Sequence, residues 1–235
     1  MAVMPLTDSD ASDQKEARIS RVEIAYRELK RRIMDNVYAP NGRVLESQLA
    51  EDLAMSRTPV REALIRLEKD GLIELTPRHG MRVLPLSADD MREIYDALTC
   101  LETTAAEMFA RRKPGPNMLK PMEDAVADMD KALVRHDLDS WAEADERFHR
   151  HLLENCGNRR IAAMAFGVWD VIHRARLLTL RLLPPPTKSN DEHRNLLKAL
   201  HAGDPEAARR IHERQRIRAS QAIVDALARF HLNDL

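Results

Sequence analysis

The sequence lacks most of what a secreted or membrane-bound chain needs. Its 235 residues include only two cysteines, Cys100 and Cys156. Two are too few for a disulfide framework, and both are expected as reduced core residues of a cytosolic protein. No stretch of about 18 residues is free of charge, which excludes a membrane-spanning helix. The N-terminus from Met1 to Asp13 is acidic and polar, without the apolar run of a secretory signal, and residues 1–17 are expected as a disordered tail. Aromatic residues are scarce at 4%, against 44% hydrophobic and 32% charged. With so many Ala, Leu, Met and Arg, that mixture favours helices over sheets. A strong basic excess is missing too. The net charge is −1, and residues 15–86 carry only 14 Lys/Arg against 11 Asp/Glu. Nucleic-acid binding therefore has to be argued from pattern.

The pattern is informative. Val22, Ala25, Tyr26, Leu29 and Ile33 form one apolar stripe, predicting a helix from about Ser20 to Asn36. A turn with Pro40 and Gly42 follows. A second, short helix is expected with Ser47 as N-cap and Leu49, Ala50, Leu53 and Ala54 inward. A third is expected to be capped by Thr58, with Pro59 in its first position, Val60, Ala63, Leu64 and Leu67 buried, and Gly71 at its end. Two short helices joined by Met55, Ser56 and Arg57 make a helix-turn-helix. Leu72–Thr76 and Met81–Leu84, around Pro77, Arg78, His79 and Gly80, read as a β-hairpin wing. From Ser87 onward the periodicity is helical throughout. Segments are broken by Pro114–Pro116, His136–Asp137, Pro184–Pro186 and a turn at Ala202–Pro205; between the second and third of these breaks one segment runs from about Asp139 to Asn155 and another from Asn158 to Leu183. The fold class is mainly α: a winged head of three helices plus a hairpin (residues 18–85), then an all-α bundle of about six helices (residues 86–235).

The run Ser56-Arg57-Thr58-Pro59-Val60-Arg61-Glu62-Ala63-Leu64, with Leu67, Gly71 and Leu72 after it, resembles the signature of the GntR family of bacterial regulators over about Val22 to Leu84. The physics of the residues agrees. Arg57 and Arg61 are four apart and project toward one groove from adjacent turns. A guanidinium fork matches guanine O6 and N7 together. Thr58 offers a hydroxyl to phosphate or a methyl to thymine. The resemblance implies that Arg57, Thr58, Arg61 and the wing tip at His79 and Gly80 touch double-stranded DNA, with Arg66 and Arg78 at phosphate. Gly80 is expected to allow close approach to the minor groove.

Further on stand Asp145, Glu146, Arg147, Phe148 and His149, then Glu192-His193 and Gly203-Asp204-Pro205-Glu206-Ala207-Ala208. They resemble the FCD-type effector domain of the FadR-like branch of that family, over most of residues 88–228. The resemblance implies a divalent metal held by one Asp and three His on facing helices, and a carboxylate effector on the metal. Asp145 and His149 share a helix face, and His193 heads the stripe Leu196, Leu197 and Leu200. Inward carboxylate and imidazole groups need a partner, and a metal (Zn, Ni or Mn) is one. The fourth position departs from the pattern: Gln215 stands where the third His is expected, as a weak ligand or an effector contact, with His212 one turn earlier as a substitute. Relatives carry an Arg four residues before the Glu matching Glu102. Here that position is Leu98, so Arg174 and Arg176 are the nearest cations for an anionic effector.

These features predict a cytoplasmic, ligand-responsive regulator with no membrane segment and no enzymatic activity, acting as a homodimer on a palindromic operator, as a repressor or an activator. Two alternatives stay open. A metal-dependent hydrolase would use Asp145, His149 and His193, but HExxH, nucleophile-elbow and phosphate-loop motifs are missing. A DNA binder blind to effectors would leave the inward polar residues without a role.

Overall fold

The computed structural model describes residues 20–76 and 79–230; the tail expected over residues 1–17, and Arg78 at the wing, lie outside them. Ser20 accepts a hydrogen bond from the Glu23 backbone N–H and starts α1, Arg21–Met34, satisfying a donor that a helix start leaves orphaned. Ala25, Leu29 and Ile33 of α1 are buried against α3, Arg57–Lys69, which turns Val60, Ala63, Leu64 and Leu67 toward them. Between the two lie β1, Arg43–Val44, and α2, Glu46–Asp52. β2, Ile73–Thr76, and β3, Gly80–Val83, complete the head. The wing is a three-stranded antiparallel sheet in the order β1-β3-β2, rather than a hairpin alone. Two residues of β1 are too few to show a period of two.

Helix starts in the head fall earlier than Ser47 and Thr58. α2 follows Leu45, whose backbone N–H donates to Gln48 Oε1 at 3.1 Å. α3 follows Ser56, which places Pro59 third in the helix. Its missing N–H is still one of those with no partner inside the helix.

The bundle contains α4 (Ala88–Arg111), α5 (Pro116–Val134), α6 (Leu138–Asn155), α7 (Arg159–Phe166), α8 (Trp169–Leu180), α9 (Thr187–Ala202) and α10 (Pro205–Arg229). That is seven helices among the described residues, one more than the periodicity suggested. The segment beginning at Asn158 breaks at Gly167 and Val168, which stand between α7 and α8. Side chains of Ser87, Asp137, Asn158 and Asp204 accept backbone N–H bonds at the starts of α4, α6, α7 and α10. One core gathers Phe109, Met122, Met129, Phe148, Leu152, Leu196 and Leu200. A second gathers Met91, Tyr95, Leu98, Leu153, Ile172 and Leu227. Cys156 is in the second core as expected, but Cys100 is exposed, because it lies two residues past Leu98 and turns away from the stripe. Among the described residues, no helix is long and apolar enough to cross a membrane.

Head and bundle meet at α8. Lys30 Nζ of α1 pairs with Asp170 Oδ1 at 2.6 Å. Fully buried Arg174 donates through Nη1 to the Leu84 carbonyl, between wing and bundle, at 2.6 Å. Arg174 is therefore a junction residue and not the effector contact expected from sequence. Burial lowers its pKa to about 10.

Candidate functional site: a DNA-reading face and a buried polar pocket

Arg57 and Thr58 open α3, Arg61 stands one turn on, and all three side chains are exposed. Arg57 and Arg61, the start of α2 at Glu46 and Ser47, and Thr76 and Gly80 of the wing line one concave surface. Among the described residues, neither arginine is ion-paired. Arg66 behaves differently. Nine residues after Arg57, at about 100° per residue, it emerges on the opposite side of α3. There its Nη1 donates to Glu23 Oε2 at 2.8 Å and its guanidinium lies 3.9 Å from the Tyr26 ring centroid. Expected at phosphate, Arg66 instead ties α3 to α1. His79 is exposed at the wing turn. Gly80 has φ +76°, and a Cβ there would lie 2.1 Å from the Val44 carbonyl oxygen. The close approach that requires glycine is thus to β1 within the wing.

In the bundle, a chain of hydrogen bonds brings α6 and α9 together. Trp141 Nε1 donates to Asn190 Oδ1 at 2.8 Å, and Asn190 Nδ2 to Asp130 Oδ1 at 2.7 Å. Asp145, His149 and His193 meet as the sequence predicted, all buried. His193 Nε2 is 3.1 Å from Asp145 Oδ1 and 3.2 Å from His149 Nε2, and His149 Nε2 is 3.6 Å from Asp145 Oδ1. Gln215 is buried beside them, its Nε2 3.1 Å from His193 Nε2. His212 does not join this set. It turns to Glu102, Nε2 to Oε2 at 3.0 Å, and to Gln215 Oε1 at 3.1 Å.

Two arginines balance the two buried carboxylates. Arg176 Nη1 donates to Asp145 Oδ2. Arg216 Nε lies 2.5 Å from Glu102 Oε2, an ion pair without the alignment of a hydrogen bond. Burial opposes ionisation of Asp145, but Arg176, His149 and His193 outweigh it and hold the carboxyl well below its ordinary value. Burial likewise opposes ionisation of Glu102, yet Arg216, His149 and His212 hold it down at about 2. His149 is pushed to about 3 by burial and then by Arg216, which keeps its imidazole neutral at physiological pH.

The spacing of Asp145, His149 and His193 alone would suit an ion, since ligands about 2.1 Å from a tetrahedral centre are about 3.4 Å apart. The surroundings do not suit one. Arg216 Nη2 lies 2.5 Å from His149 Nε2 and 2.6 Å from His149 Nδ1, so a guanidinium charge already stands against one of the three would-be ligands. Two like unit charges about 4 Å apart repel by about 4 kcal/mol at an effective dielectric near 20, and a divalent ion doubles that. With Arg216 in place the residues present do not fit a metal.

Above this floor opens a cavity of about 370 Å³, walled by Trp141, Leu180, Leu183, Pro184–Pro186 and Ile223. Arg176 and Tyr95 also line it. Tyr95 Oη is buried and has no hydrogen-bond partner among the described residues, and burial raises its pKa. Arg218, at the rim, is held by Glu192 at 2.9 Å and by Ser189 Oγ at 2.9 Å. Tyr95, Arg216 and Arg218 are the residues that sequence reasoning missed. The signal for Arg216 was present: it stands four residues after His212 and seven before Ile223, on the inward line of α10.

Comparison with known proteins finds a family model for each half of the chain. The family model described as bacterial regulatory proteins, gntR family, matches residues 21–83, and the FCD domain model matches residues 93–216. The chain belongs to the GntR family of bacterial regulators. It is a transcription regulator with a DNA-binding GntR domain and an FCD effector-binding domain, not an enzyme. An uncharacterised HTH-type transcriptional regulator of the TAR-I ttuE-ttuC' intergenic region of Agrobacterium vitis is 38% identical over 151 residues, 63% of this chain and 87% of that one. The HTH-type transcriptional repressor RspR of Escherichia coli is 29% identical over 196 residues, 79% of this chain and 81% of RspR. Among solved structures, E. coli McbR/YncC superposes with a TM-score of 0.72 over 86% of this chain and 98% of that one. At 22% identity it is similar in fold.

Proposed function

We propose that this regulator is a cytoplasmic homodimer that represses from a palindromic operator, each winged head (residues 18–85) reading one half-site with Arg57, Thr58 and Arg61. A carboxylate metabolite in the bundle (residues 86–235) sets its DNA affinity. Paired heads follow from the geometry of recognition: one α3 reaches only a few base pairs, and two-fold operators match two-fold proteins. RspR, similar along most of its length, is itself described as a repressor.

The observation that carries the effector reading is the orphaned Tyr95 hydroxyl beside Arg176, facing an apolar-walled cavity. A buried hydroxyl without a partner costs free energy until a ligand oxygen meets it. A carboxylate satisfies Tyr95 and Arg176 together, and its hydrocarbon body covers Leu180, Leu183 and the three prolines. α8 gives the message a route. Arg176 faces the pocket and Arg174, two residues earlier and about 200° around the helix, holds the Leu84 carbonyl. A shift of α8 on ligand binding moves both.

Calorimetric titration of aliphatic and aromatic monocarboxylates against the full chain tests this. At least one acid is expected to bind, and its amide to bind far more weakly. Tyr95→Phe is expected to weaken the acid about 10- to 100-fold, the worth of a hydrogen bond to a charged group, with Arg176→Met as the second variant. An acid that binds wild type and Tyr95→Phe equally would place the effector elsewhere.

A further inference from the structure

We infer that Arg216 is the built-in cation of this pocket, and that the regulator works without a metal. Asp145 Oδ1, His149 Nε2 and His193 Nε2 turn electron-rich atoms toward one point, and Glu102 stands just behind them with its Oε2 3.7 Å from His149 Nδ1. Such a cluster needs positive charge among it. The Arg216 guanidinium supplies it, touching Glu102 with Nε and the edge of the His149 ring with Nη2. It comes from α10, fixed at the base of the cavity by its own burial of 97%. Its neighbour Gln215 places an amide, not an imidazole, against His193. Together these two consecutive residues remove the fourth strong donor and set beside His149 a charge that repels a metal ion.

The inference does not depend on which effector binds, because its readout is metal content. The full chain is purified without chelators, dialysed against Zn, Ni and Mn salts in turn, and analysed by elemental mass spectrometry together with thermal melting. Wild type is expected to retain less than about one metal per ten chains and to melt at the same temperature with and without metal. The Gln215→His/Arg216→Leu variant is expected to take up about one metal per chain and to gain thermal stability from it. That uptake should disappear when Asp145→Ala is added. Near-stoichiometric metal in wild type, lost in His193→Ala, would overturn the inference. So would a folded Gln215→His/Arg216→Leu variant that stays empty. Should that variant not fold, the wild-type result alone decides.

Discussion

Arg61→Ala is expected to lower operator affinity by about 30-fold to 20,000-fold while leaving the fold and ligand binding intact. Arg61 is exposed on the second turn of α3, on the concave face shared with the wing. Its substitution removes no packing. A bidentate arginine–guanine pair is worth about 1–3 kcal/mol of discrimination, and a two-fold dimer loses the pair twice. The operator is obtained by selecting bound duplexes from a random pool, and affinity is then read by fluorescence anisotropy at fixed salt. Specific affinity is expected to collapse toward the non-specific level, with the salt slope reduced little. Arg66→Ala is the internal contrast. It breaks the Glu23 ion pair and the Tyr26 stack, so it is expected to cost stability of the head at constant sequence preference. Equal loss of specific binding in both variants would mean that α3 lies on DNA in a different orientation.

Glu102→Gln is expected to destabilise the bundle by about 3–5 kcal/mol, the cost of leaving one member of a buried ion pair uncompensated. For a domain of this size that is a fall in Tm of roughly 6–20 °C. Glutamine keeps the shape of glutamate, so no cavity confuses the result. What it removes is the charge that Arg216 meets at 2.5 Å and His212 at 3.0 Å. The double variant Glu102→Gln/Arg216→Met is expected to recover much of the loss, because no orphaned charge remains, and the coupling follows from a double-mutant cycle on melting curves. Additive losses would show that Glu102 and Arg216 do not act as a pair.

Much of this protein was legible in its sequence, for physical reasons that also explain what was hidden. The stripes of α1, α3 and α4 repeat at the helical period, so the head and the bundle emerged from pattern alone. Caps were ambiguous because Ser56 and Thr58 both favour a helix start, and the true cap lies two residues earlier. Neither Gly167 nor Val168 breaks a helix as proline does, so α7 and α8 read as one. In the pocket, Asp145, His149, His193 and Gln215 were visible as polar residues on apolar faces. Arg216 was not sought there, since an arginine is usually outside, although its spacing placed it inward. Arg174 and Arg176 could not be told apart from sequence. Two residues separate them, and only the packing of α8 assigns one to the linker carbonyl and the other to Asp145.

The most direct test of ligand-controlled DNA binding is anisotropy of the selected operator, titrated with the full chain with and without a saturating carboxylate that binds the pocket. The acid is expected to change operator affinity by about 5- to 150-fold, and saturating operator to change the affinity for the acid by the same factor. An operator affinity that stays constant at saturating acid would contradict it, leaving a DNA-binding protein whose polar pocket does something else.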